Sequence, residues 1–332
     1  MAHIVGTDGS DTLIGTRGDD VIHGGASGDV LTGLGGEDLV HGGLGDDVLL
    51  GGPDASSLFG GAGNDTLSAA SPLRSTYLSG GAGNDLLFGY GYGGTGDDTL
   101  TGGFGGHGND LMMPVEGYAW GGNGDDTLIG TDMSVYLFAG RGNDLVIGSS
   151  SVDLLGGSGG NDRLFGGGGG DYLWGGIGDD QLDGSGGGDR MQGGRGDDLM
   201  TGGSGGDVVA GGGGTDSLAG GDGRDRLRGG AGTDDISGGA GADRLHGGSG
   251  ADVFRFEDGA AAAADLITDF ASGEDQIDLT FGGFVFVGSA GFSGTQAELR
   301  YYAGVLSGDV DGDGTLDFSL MVNDVVESDL LL

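Results

Sequence analysis

The chain has 332 residues, of which 89 are glycine, and 52 acidic side chains against 12 arginines and no lysine give a formal net charge of −40. A chain of this charge is a poor partner for nucleic acid and for anionic membrane surfaces, so we expect no nucleic-acid binding and no membrane insertion. No cysteine is present, which excludes disulfides as a support of the fold.

The chain begins with a short segment and then repeats itself. Residues 1–5 have neither a basic region nor an apolar core, so we expect no classical N-terminal signal peptide. Nine-residue repeats start at Gly6 and continue in register to Ser68, each with an apolar residue at its eighth position and all but one with an acid at the sixth. The acids of these repeats are Asp11, Asp20, Asp29, Asp38, Asp47 and Asp65.

The middle of the chain, residues 51–156, is irregular. Short insertions at 69–70, 89–92 and 102–104 are interpreted as loops. Four units lack the sixth-position acid, at residues 53–59, 71–79, 114–120 and 130–138. The remaining units supply Asp85, Asp98, Asp110, Asp126, Asp144 and Asp153.

Residues 157–255 keep one nine-residue register of the type G-G-x-G-x-D-x-U-x, in which the sixth residue is always Asp and the eighth, U, is always apolar. The sixth-position acids of this array are Asp162, Asp171, Asp180, Asp189, Asp198, Asp207, Asp216, Asp225, Asp234, Asp243 and Asp252. The pattern resembles the calcium-binding repeat of the RTX (hemolysin-type) family, and the resemblance covers nearly the whole chain. It implies an all-β fold, a right-handed parallel β-roll in which two repeats make one turn. It also implies that Ca²⁺ lies between the turn of one repeat and that of the repeat two further on, held by the sixth-position aspartates and glycine carbonyls.

Elementary energetics also favours calcium. Each repeat orders nine residues, many of them glycine, while it buries one leucine-sized side chain, so the folded repeat needs a further source of binding energy. A compact chain of charge −40 also repels itself. Bound Ca²⁺ would supply the missing binding energy and reduce the repulsion between carboxylates. We therefore expect many ions in the folded chain and a disordered chain in their absence.

Aromatic residues occupy outward strand positions near the four acid-free units. Because strand side chains alternate, these rings are expected to form a stripe on one outer face. Such a stripe indicates a contact surface for sugars, for a protein partner or for a second copy; the alternative is ordinary stacking of β-forming residues. Phe59 and Tyr77 belong to the stripe, and we assign partner binding to Tyr118, Trp120, Tyr136, Phe138, Tyr172 and Trp174.

From residue 256 glycine becomes rarer and Phe, Val and Leu more frequent. Segments 265–270, 274–279, 297–302 and 308–320 look like the C-terminal segment of serralysin-type RTX proteins, and a solenoid needs such a cap over its last apolar layer. We therefore divide the chain into a roll, 1–255, and a cap with an export signal, 256–332. Residues 327–332 resemble the uncleaved signal of type I exporters, which makes that apparatus an expected partner; the alternative is a closing edge strand.

The cap contains an EF-hand-like pattern. Its loop positions 1, 3, 5 and 9 are Asp309, Asp311, Asp313 and Asp317, and Gly314 stands at the turn position. Position 12 is Leu320 instead of the usual bidentate glutamate, which predicts a weaker or differently completed calcium loop.

No enzyme is expected. H-E-x-x-H does not occur, so the serralysin-like tail brings no protease motif, and G-x-S-x-G matches carry no weight in so glycine-rich a chain. His23 and His41 are interpreted as a surface pair in preference to a metal site. Four arginines are expected to pack against acids of the cap: Arg224, Arg226, Arg228 and Arg244. The sequence thus predicts a secreted, extracellular, calcium-folded structural or adhesive protein; the alternative is a carbohydrate- or partner-binding module.

Overall fold

The structure is a computed structural model that describes residues 1–69, 76–114, 117–131, 133–257 and 264–332. The chain forms two compact units, Met1–Ser149 with Gly156–Ser158 and Ser150–Leu155 with Gly159–Leu332. Each is a parallel β-solenoid, so the predicted fold class is confirmed. Among the described residues the one helical element is a 3₁₀ turn at Glu327–Asp329. No helix in the described ranges has the length and apolar character needed to span a membrane.

The first unit consists of short strands joined by glycine-rich turns. Its strands are β1 (His3–Val5), β2 (Thr12–Ile14), β3 (Val21–Gly25), β4 (Val30–Thr32), β5 (Leu39–Leu44), β6 (Val48–Leu50), β7 (Ser57–Ala62), β8 (Thr66–Ser68), β9 (Tyr77–Ala82), β10 (Leu86–Phe88), β11 (Gly91–Thr95), β12 (Thr99–Leu100), β13 (Gly103–His107), β14 (Leu111–Met112), β15 (Gly117–Asn123), β16 (Thr127–Ile129), β17 (Val135–Arg141) and β18 (Leu145–Ile147). Odd-numbered strands pair in parallel to form one sheet, and even-numbered strands pair in parallel to form the other. Each full turn of the chain therefore adds one strand to each sheet.

The insertions at 89–92 and 102–104 are not the loops that we expected. They lead into β11 and β13, which join the odd-numbered sheet with Gly91 opposite Leu78 and Gly103 opposite Gly91. Successive aspartates of these turns are only 13 and 12 residues apart, so each of these turns is short. A side chain at Gly91 would collide with buried leucines, and glycine fits this thin part of the core because it has none. Ala70 of the third insertion lies outside the described residues.

The second unit continues the same architecture. Its strands are β19 (Leu154–Gly159, divided between the units), β20 (Arg163–Gly168), β21 (Tyr172–Ile177), β22 (Gln181–Gly186), β23 (Arg190–Arg195), β24 (Leu199–Gly205), β25 (Val208–Gly213), β26 (Ser217–Gly223), β27 (Arg226–Ala231), β28 (Asp235–Gly241), β29 (Arg244–Ser249), β30 (Val253–Arg255), β31 (Leu266–Ile267), β32 (Gln276–Asp278), β33 (Val285–Phe286), β34 (Glu298–Tyr302), β35 (Val305–Asp309), β36 (Phe318–Met321) and β37 (Leu330–Leu331). Strands β21 to β31 pair as an odd-numbered sheet and β20 to β32 as an even-numbered one.

The core is a stack of single apolar residues. In the regular array every eighth-position side chain, from Leu164 to Phe254, is exposed by no more than 3 %. Strand side chains alternate, so the two flanking residues of each strand point outward. The solenoid therefore has a one-residue-wide core between two sheets with long outer faces.

The turns depend on glycine at two positions of the repeat. In the repeat that starts at Gly211, Gly212 and Gly214 have φ of +127° and +144°. A side chain at Gly212 or Gly214 would collide with the carbonyl oxygen of Gly194 or Gly196 in the preceding turn. Other residues resist such φ values, so the glycine pattern follows directly from the geometry of the turn.

Strands after residue 264 close the second unit. β31 and β32 extend the two sheets, β36 pairs with β31, and β37 pairs with β32. β34, β35 and β36 form an antiparallel meander. Phe281, Phe284 and Phe318 pack together beside it, with ring centroids 5.3–6.2 Å apart. Phe254, the last eighth-position residue of the regular array, is fully buried, and its ring lies 6.2 Å from that of Phe270.

Candidate metal centres

The sixth-position aspartates form ladders along the edges of each unit. In the second unit the backbone N–H of Asp180 donates to Oδ1 of Asp198 at 2.8 Å, and the N–H of Asp198 donates to Oδ1 of Asp216 at 2.9 Å. Each partner lies 18 residues further on, one full turn of the chain. All three side chains are buried. One oxygen of each carboxylate therefore holds the backbone of the preceding turn.

The other carboxylate oxygen, Oδ2, has no such partner. It is buried and accepts no hydrogen bond from the described residues in Asp29, Asp38, Asp47, Asp65, Asp85, Asp98, Asp110, Asp126, Asp171, Asp180, Asp189, Asp198, Asp207, Asp216, Asp225, Asp234, Asp243, Asp252 and Asp265. A buried anionic oxygen without a donor is strongly unfavourable. Each of these oxygens therefore needs a cation or a proton.

The first glycine of the repeat leaves a space beside this oxygen. A side chain added at Gly175 would meet Oδ2 of Asp180 and the carbonyl oxygen of Gly193, the first glycine two repeats on. The same arrangement recurs at Gly184 and Gly202. Carboxylate and carbonyl oxygens are the ligands that Ca²⁺ prefers. The residues of the turn thus fit calcium, and the fit rests on oxygens that the protein itself leaves without donors.

Burial changes the proton affinity of the ladder. Desolvation, with smaller contributions from neighbouring carboxylates, raises the pKa of Asp180 to about 7 and that of Asp198 to about 6, although hydrogen bonds from backbone N–H groups oppose the shift. In the first unit burial likewise raises the pKa of Asp65 and of Asp98 to about 7. Near neutral pH the metal-free turns therefore bind protons, and Ca²⁺ competes with protons for the same oxygens.

Acid is expected to stabilise the metal-free fold. The folded pKa values, about 6 to 7, lie above the ordinary value of 3.8, so the folded chain binds more protons than the unfolded chain. This contribution is complete below about pH 4 and is lost as the pH rises through about 6 to 7. Circular dichroism in chelator should show β-structure increasing from pH 7.5 to pH 4. A signal that stays disordered throughout, in samples checked by light scattering, contradicts the prediction.

Every sixth-position aspartate named from the sequence lies in a ladder. One edge of the first unit carries Asp11, Asp29, Asp47, Asp65, Asp85, Asp98, Asp110, Asp126 and Asp144 without interruption. Its other edge carries Asp20 and Asp38. The second unit carries one ladder with Asp162, Asp180, Asp198, Asp216, Asp234 and Asp252, and another with Asp153, Asp171, Asp189, Asp207, Asp225 and Asp243.

The first two ladder members differ from the rest. Oδ2 of Asp20 accepts the N–H of Thr16 at 2.5 Å and its hydroxyl at 2.8 Å, and Asp11 is bonded to Thr7 in the same way. The hydrogen bonds, above all that from the backbone of Ala2, lower the pKa of Asp20. Threonine at the second repeat position thus supplies the donor that Oδ2 lacks in the later turns.

Two members of the ladders, Asp265 and Asp275, were not predicted from the sequence. The N–H of Asp243 donates to Oδ1 of Asp265 at 2.7 Å, and the N–H of Asp252 donates to Oδ1 of Asp275 at 3.0 Å. Asp265 is fully buried, and burial raises its pKa to about 7. Both are followed two residues later by a buried isoleucine, the signature of the repeat. They lie 22 and 23 residues from their partners instead of 18, which hides them from a fixed period.

The EF-hand-like loop of the cap brings three of its four aspartates together. Oxygens of Asp309, Asp311 and Asp317 lie within 4.8 Å of one another. Asp309 is buried, and its carboxylate accepts N–H groups from residues 312–314. Asp313 instead accepts the N–H and hydroxyl of Thr315, which lowers its pKa. The loop therefore presents three carboxylates, with Asp313 turned to a local contact.

The acid-free units lie along one edge of the first unit. Ser56 takes the ladder position there and accepts the N–H of Asp38 at 3.4 Å, and later turns of that edge place Thr76 and Val135 at the equivalent position. Residues 71–75, 115–116 and 132 of these units lie outside the described residues. The four units share an edge because β11 and β13 each add a strand to the same sheet, which restores the alternation.

An aromatic face covers the odd-numbered sheet beside that edge. We use this name for Tyr77, Tyr90, Tyr92, Phe104, Tyr118, Trp120, Tyr136 and Phe138. The rings of Tyr118 and Tyr136 stack at 4.7 Å, and those of Trp120 and Phe138 lie 5.2 Å apart. Trp120 is 48 % exposed. The sequence analysis missed Tyr90, Tyr92 and Phe104 because they fall in the segments interpreted as loops.

The two remaining partner-binding candidates lie in the second unit. Tyr172 and Trp174 stack on each other at 6.2 Å on the outer side of β21. The guanidinium of Arg190 lies 5.4 Å from the Tyr172 ring and donates to its hydroxyl at 3.0 Å.

Among the described residues none of the four arginines near the cap forms an ion pair with an acid of the cap, contrary to our expectation. Arg226, Arg228 and Arg244 are exposed, and within the described residues none of them makes an ion pair. Their positions flank the buried residues of β27 and β29, so they point outward from the odd-numbered sheet.

A parallel β-solenoid whose turns stack buried carboxylates defines a class of cation-binding repeat proteins. The model of the RTX calcium-binding nonapeptide repeat matches residues 5–40, 41–71, 75–91, 120–155, 147–182, 156–191, 183–218 and 219–254. The chain therefore belongs to the RTX calcium-binding repeat family. No curated protein matches the chain.

Proposed function

We propose that this chain is a secreted, non-enzymatic RTX protein that folds on extracellular calcium and has a structural or adhesive role in a surface layer, fibril or matrix. The observation that carries the proposal is the set of buried aspartate Oδ2 oxygens without donors. Cations that fill the turns bind only the folded chain, so mass action drives folding where calcium is abundant. RTX repeat proteins are typically secreted, and calcium is abundant outside the cell.

The C-terminal residues support export before folding through a type I apparatus. In the folded chain Asp329 is buried and accepts hydrogen bonds from the Ser272 hydroxyl and the Gly273 N–H. Leu330 pairs with Ile277 in the even-numbered sheet. A signal held in these contacts is inaccessible to an exporter, whereas the same residues are free in a calcium-poor, unfolded chain.

The aromatic face supports self-association as the structural role. The outward residues that flank the buried position on β1 to β17 of the odd-numbered sheet include no Asp, Glu or Arg. The chain as a whole carries −40, so two copies repel each other over most of their surfaces. At this face two copies meet without bringing like charges together, and large exposed apolar patches commonly mark such contacts.

The second candidate is a carbohydrate- or partner-binding module that uses the same face. Exposed, stacked aromatic rings with a polar edge, such as Tyr118 and Tyr136, suit a ligand that is apolar on one side and polar on the other. A neutral sugar has this character, and the face carries no charged side chain that would favour a charged ligand.

The double variant Trp120→Ala/Tyr136→Ala separates the two roles. In calcium, sedimentation velocity should show assemblies of the parent chain that the variant loses, because the substitutions remove apolar area from the contact. Phe88→Ala is the control, since Phe88 is an exposed ring on the even-numbered sheet. A parent chain that stays monomeric while the variant loses binding to neutral oligosaccharides favours the second role. If the variant changes neither assembly nor sugar binding, the face serves neither purpose.

A further inference from the structure

The outer face of the odd-numbered sheet in the second unit concentrates positive charge. Arg190, Val208, Arg226 and Arg244 are successive partners across β23, β25, β27 and β29. Arg228 stands in the neighbouring column beside His246. Adjacent strands are about 4.8 Å apart, so the guanidinium groups form a row that crosses the strands. We call the surface formed by Tyr172, Trp174, Arg190, Arg226, Arg228 and Arg244 the arginine face.

The strands of this face carry no outward acid although the chain as a whole is strongly acidic, and the carboxylate of Asp269 lies at its edge, 3.1 Å from Nδ1 of His246. The outward residues that flank the buried position on β21 to β29 of this sheet include no Asp or Glu. Elsewhere in the unit an arginine is neutralised locally: Arg255 donates to Asp235 at 2.6 Å and to Asp278 at 3.0 Å. Within the described residues the four arginines of the arginine face have no such ion pair, so their charge is available to a partner.

Aromatic rings complete the surface at one end. Trp174 is 39 % exposed and lies against Tyr172, whose ring Arg190 also contacts. A shallow groove of about 340 Å³ runs past these side chains and Gln192. The groove thus offers flat apolar rings, amide and guanidinium donors, and positive charge within one short stretch.

We propose that the arginine face binds an acidic polysaccharide, a linear chain of sugar rings that carry carboxylates. Guanidinium groups form paired hydrogen bonds with carboxylates, and a row of them matches a ligand with repeated negative charges. The Trp174 and Tyr172 rings supply the flat surface on which a sugar ring packs. The proposal goes beyond the structural role above and requires only that the second unit be folded.

Charge explains why a polyanion can approach this protein at all. The carboxylate ladders lie at the edges of the sheet, and without cations they repel an anionic ligand. Calcium in the turns neutralises the edges and leaves the arginines exposed between them. Binding of the polysaccharide is therefore expected to depend on calcium for two reasons: calcium folds the chain, and it neutralises the carboxylates that flank the arginine face.

The test uses the full chain in calcium, with folding checked by circular dichroism. Isothermal titration compares short oligogalacturonides, neutral glucan oligomers of equal length and a single-stranded oligonucleotide, each also titrated into calcium buffer alone. The variant is Arg226→Ala/Arg228→Ala/Arg244→Ala. Arg17→Ala/Arg141→Ala/Arg163→Ala is the matched control, since it removes three charges from other surfaces of the chain. A second variant, Trp174→Ala, tests the aromatic end.

The parent chain and the control should bind the oligogalacturonide, and the arginine variant should bind it at least about tenfold more weakly, the loss expected for charge-assisted hydrogen bonds. The dependence of affinity on salt should also fall in that variant. Trp174→Ala should weaken binding and leave the salt dependence unchanged. Equal losses in variant and control, equal binding of the neutral glucan, or tighter binding of the oligonucleotide each overturn the proposal. So does an arginine variant that loses self-association and keeps the oligogalacturonide. Because folding is monitored separately, failure here is distinguishable from failure of calcium-driven folding.

Discussion

Asp198→Ala is expected to destabilise the calcium-loaded protein by at least about 2 kcal/mol and to raise the calcium concentration at which it folds. The substitution leaves the buried N–H of Asp180 without the acceptor it has at 2.8 Å, and an unsatisfied buried donor costs about 1–3 kcal/mol. It also removes the carboxylate whose Oδ1 binds the preceding turn and whose Oδ2 is left for a cation. Thermal unfolding in calcium and the calcium midpoint by circular dichroism measure the two effects.

Two further variants isolate the cause. Asp222→Ala removes the same charge from an exposed position of the same unit and should change stability by less than about 0.5 kcal/mol. Asp198→Asn keeps an acceptor for the Asp180 N–H, so it should restore much of the thermal stability while the calcium midpoint stays high. A normal calcium midpoint in Asp198→Asn is incompatible with a cation at this carboxylate.

Gly214→Ala is expected to cost about 2–4 kcal/mol. The residue has φ of +144°, which is unfavourable for alanine by about 1–2 kcal/mol, and the new methyl group collides with the carbonyl oxygen of Gly196. The collision is with the backbone of a residue whose N–H donates to the carbonyl oxygen of Gly213 at 2.9 Å, so it is not relieved by rotating a side chain. Chemical denaturation in saturating calcium measures the loss.

Gly213→Ala is the matched control one residue away. Nothing lies within 4 Å of a side chain added there, and its φ is not positive. Alanine should be tolerated within about 0.5 kcal/mol, or be slightly stabilising, since it reduces the freedom of the unfolded chain. If both substitutions cost the same, the turn does not have the described geometry.

The regular part of the fold follows from the sequence because one repeat carries all the information that its structure needs. The fixed spacing of Asp198 from Asp180 and Asp216 places their carboxylates in a ladder, and the eighth-position residue between two outward neighbours can only face the core. Local pattern and global fold agree at each of these positions, as they do in sequences with one well-defined structure.

Prediction failed where that spacing changes. Gly91 and Gly103 occupy core positions, yet nothing in a glycine marks it as buried, so β11 and β13 looked like loops. Asp265 and Asp275 were missed for a related reason, since longer connections separate them from Asp243 and Asp252. In both cases the strand pairing or the aspartate ladder continues in the structure although the nine-residue spacing of the sequence is lost.

The arginine face could not be predicted from the sequence either. Arg226, Arg228 and Arg244 read as a local cluster near the cap, and nearby acids made local ion pairs the simplest expectation. Which sheet they belong to, and that no acid shares their face, depends on pairing between strands 18 residues apart. Such surfaces arise from register, which composition does not reveal.

Far-ultraviolet circular dichroism of the chain in chelator at pH 7.5, followed by a calcium titration, measures directly whether the fold depends on calcium. The buried Oδ2 oxygens without donors predict a disordered chain in chelator and a cooperative gain of β-structure as calcium is added. Complete β-structure in chelator, unchanged by calcium, would contradict the claim that cations in the aspartate ladders hold this fold together.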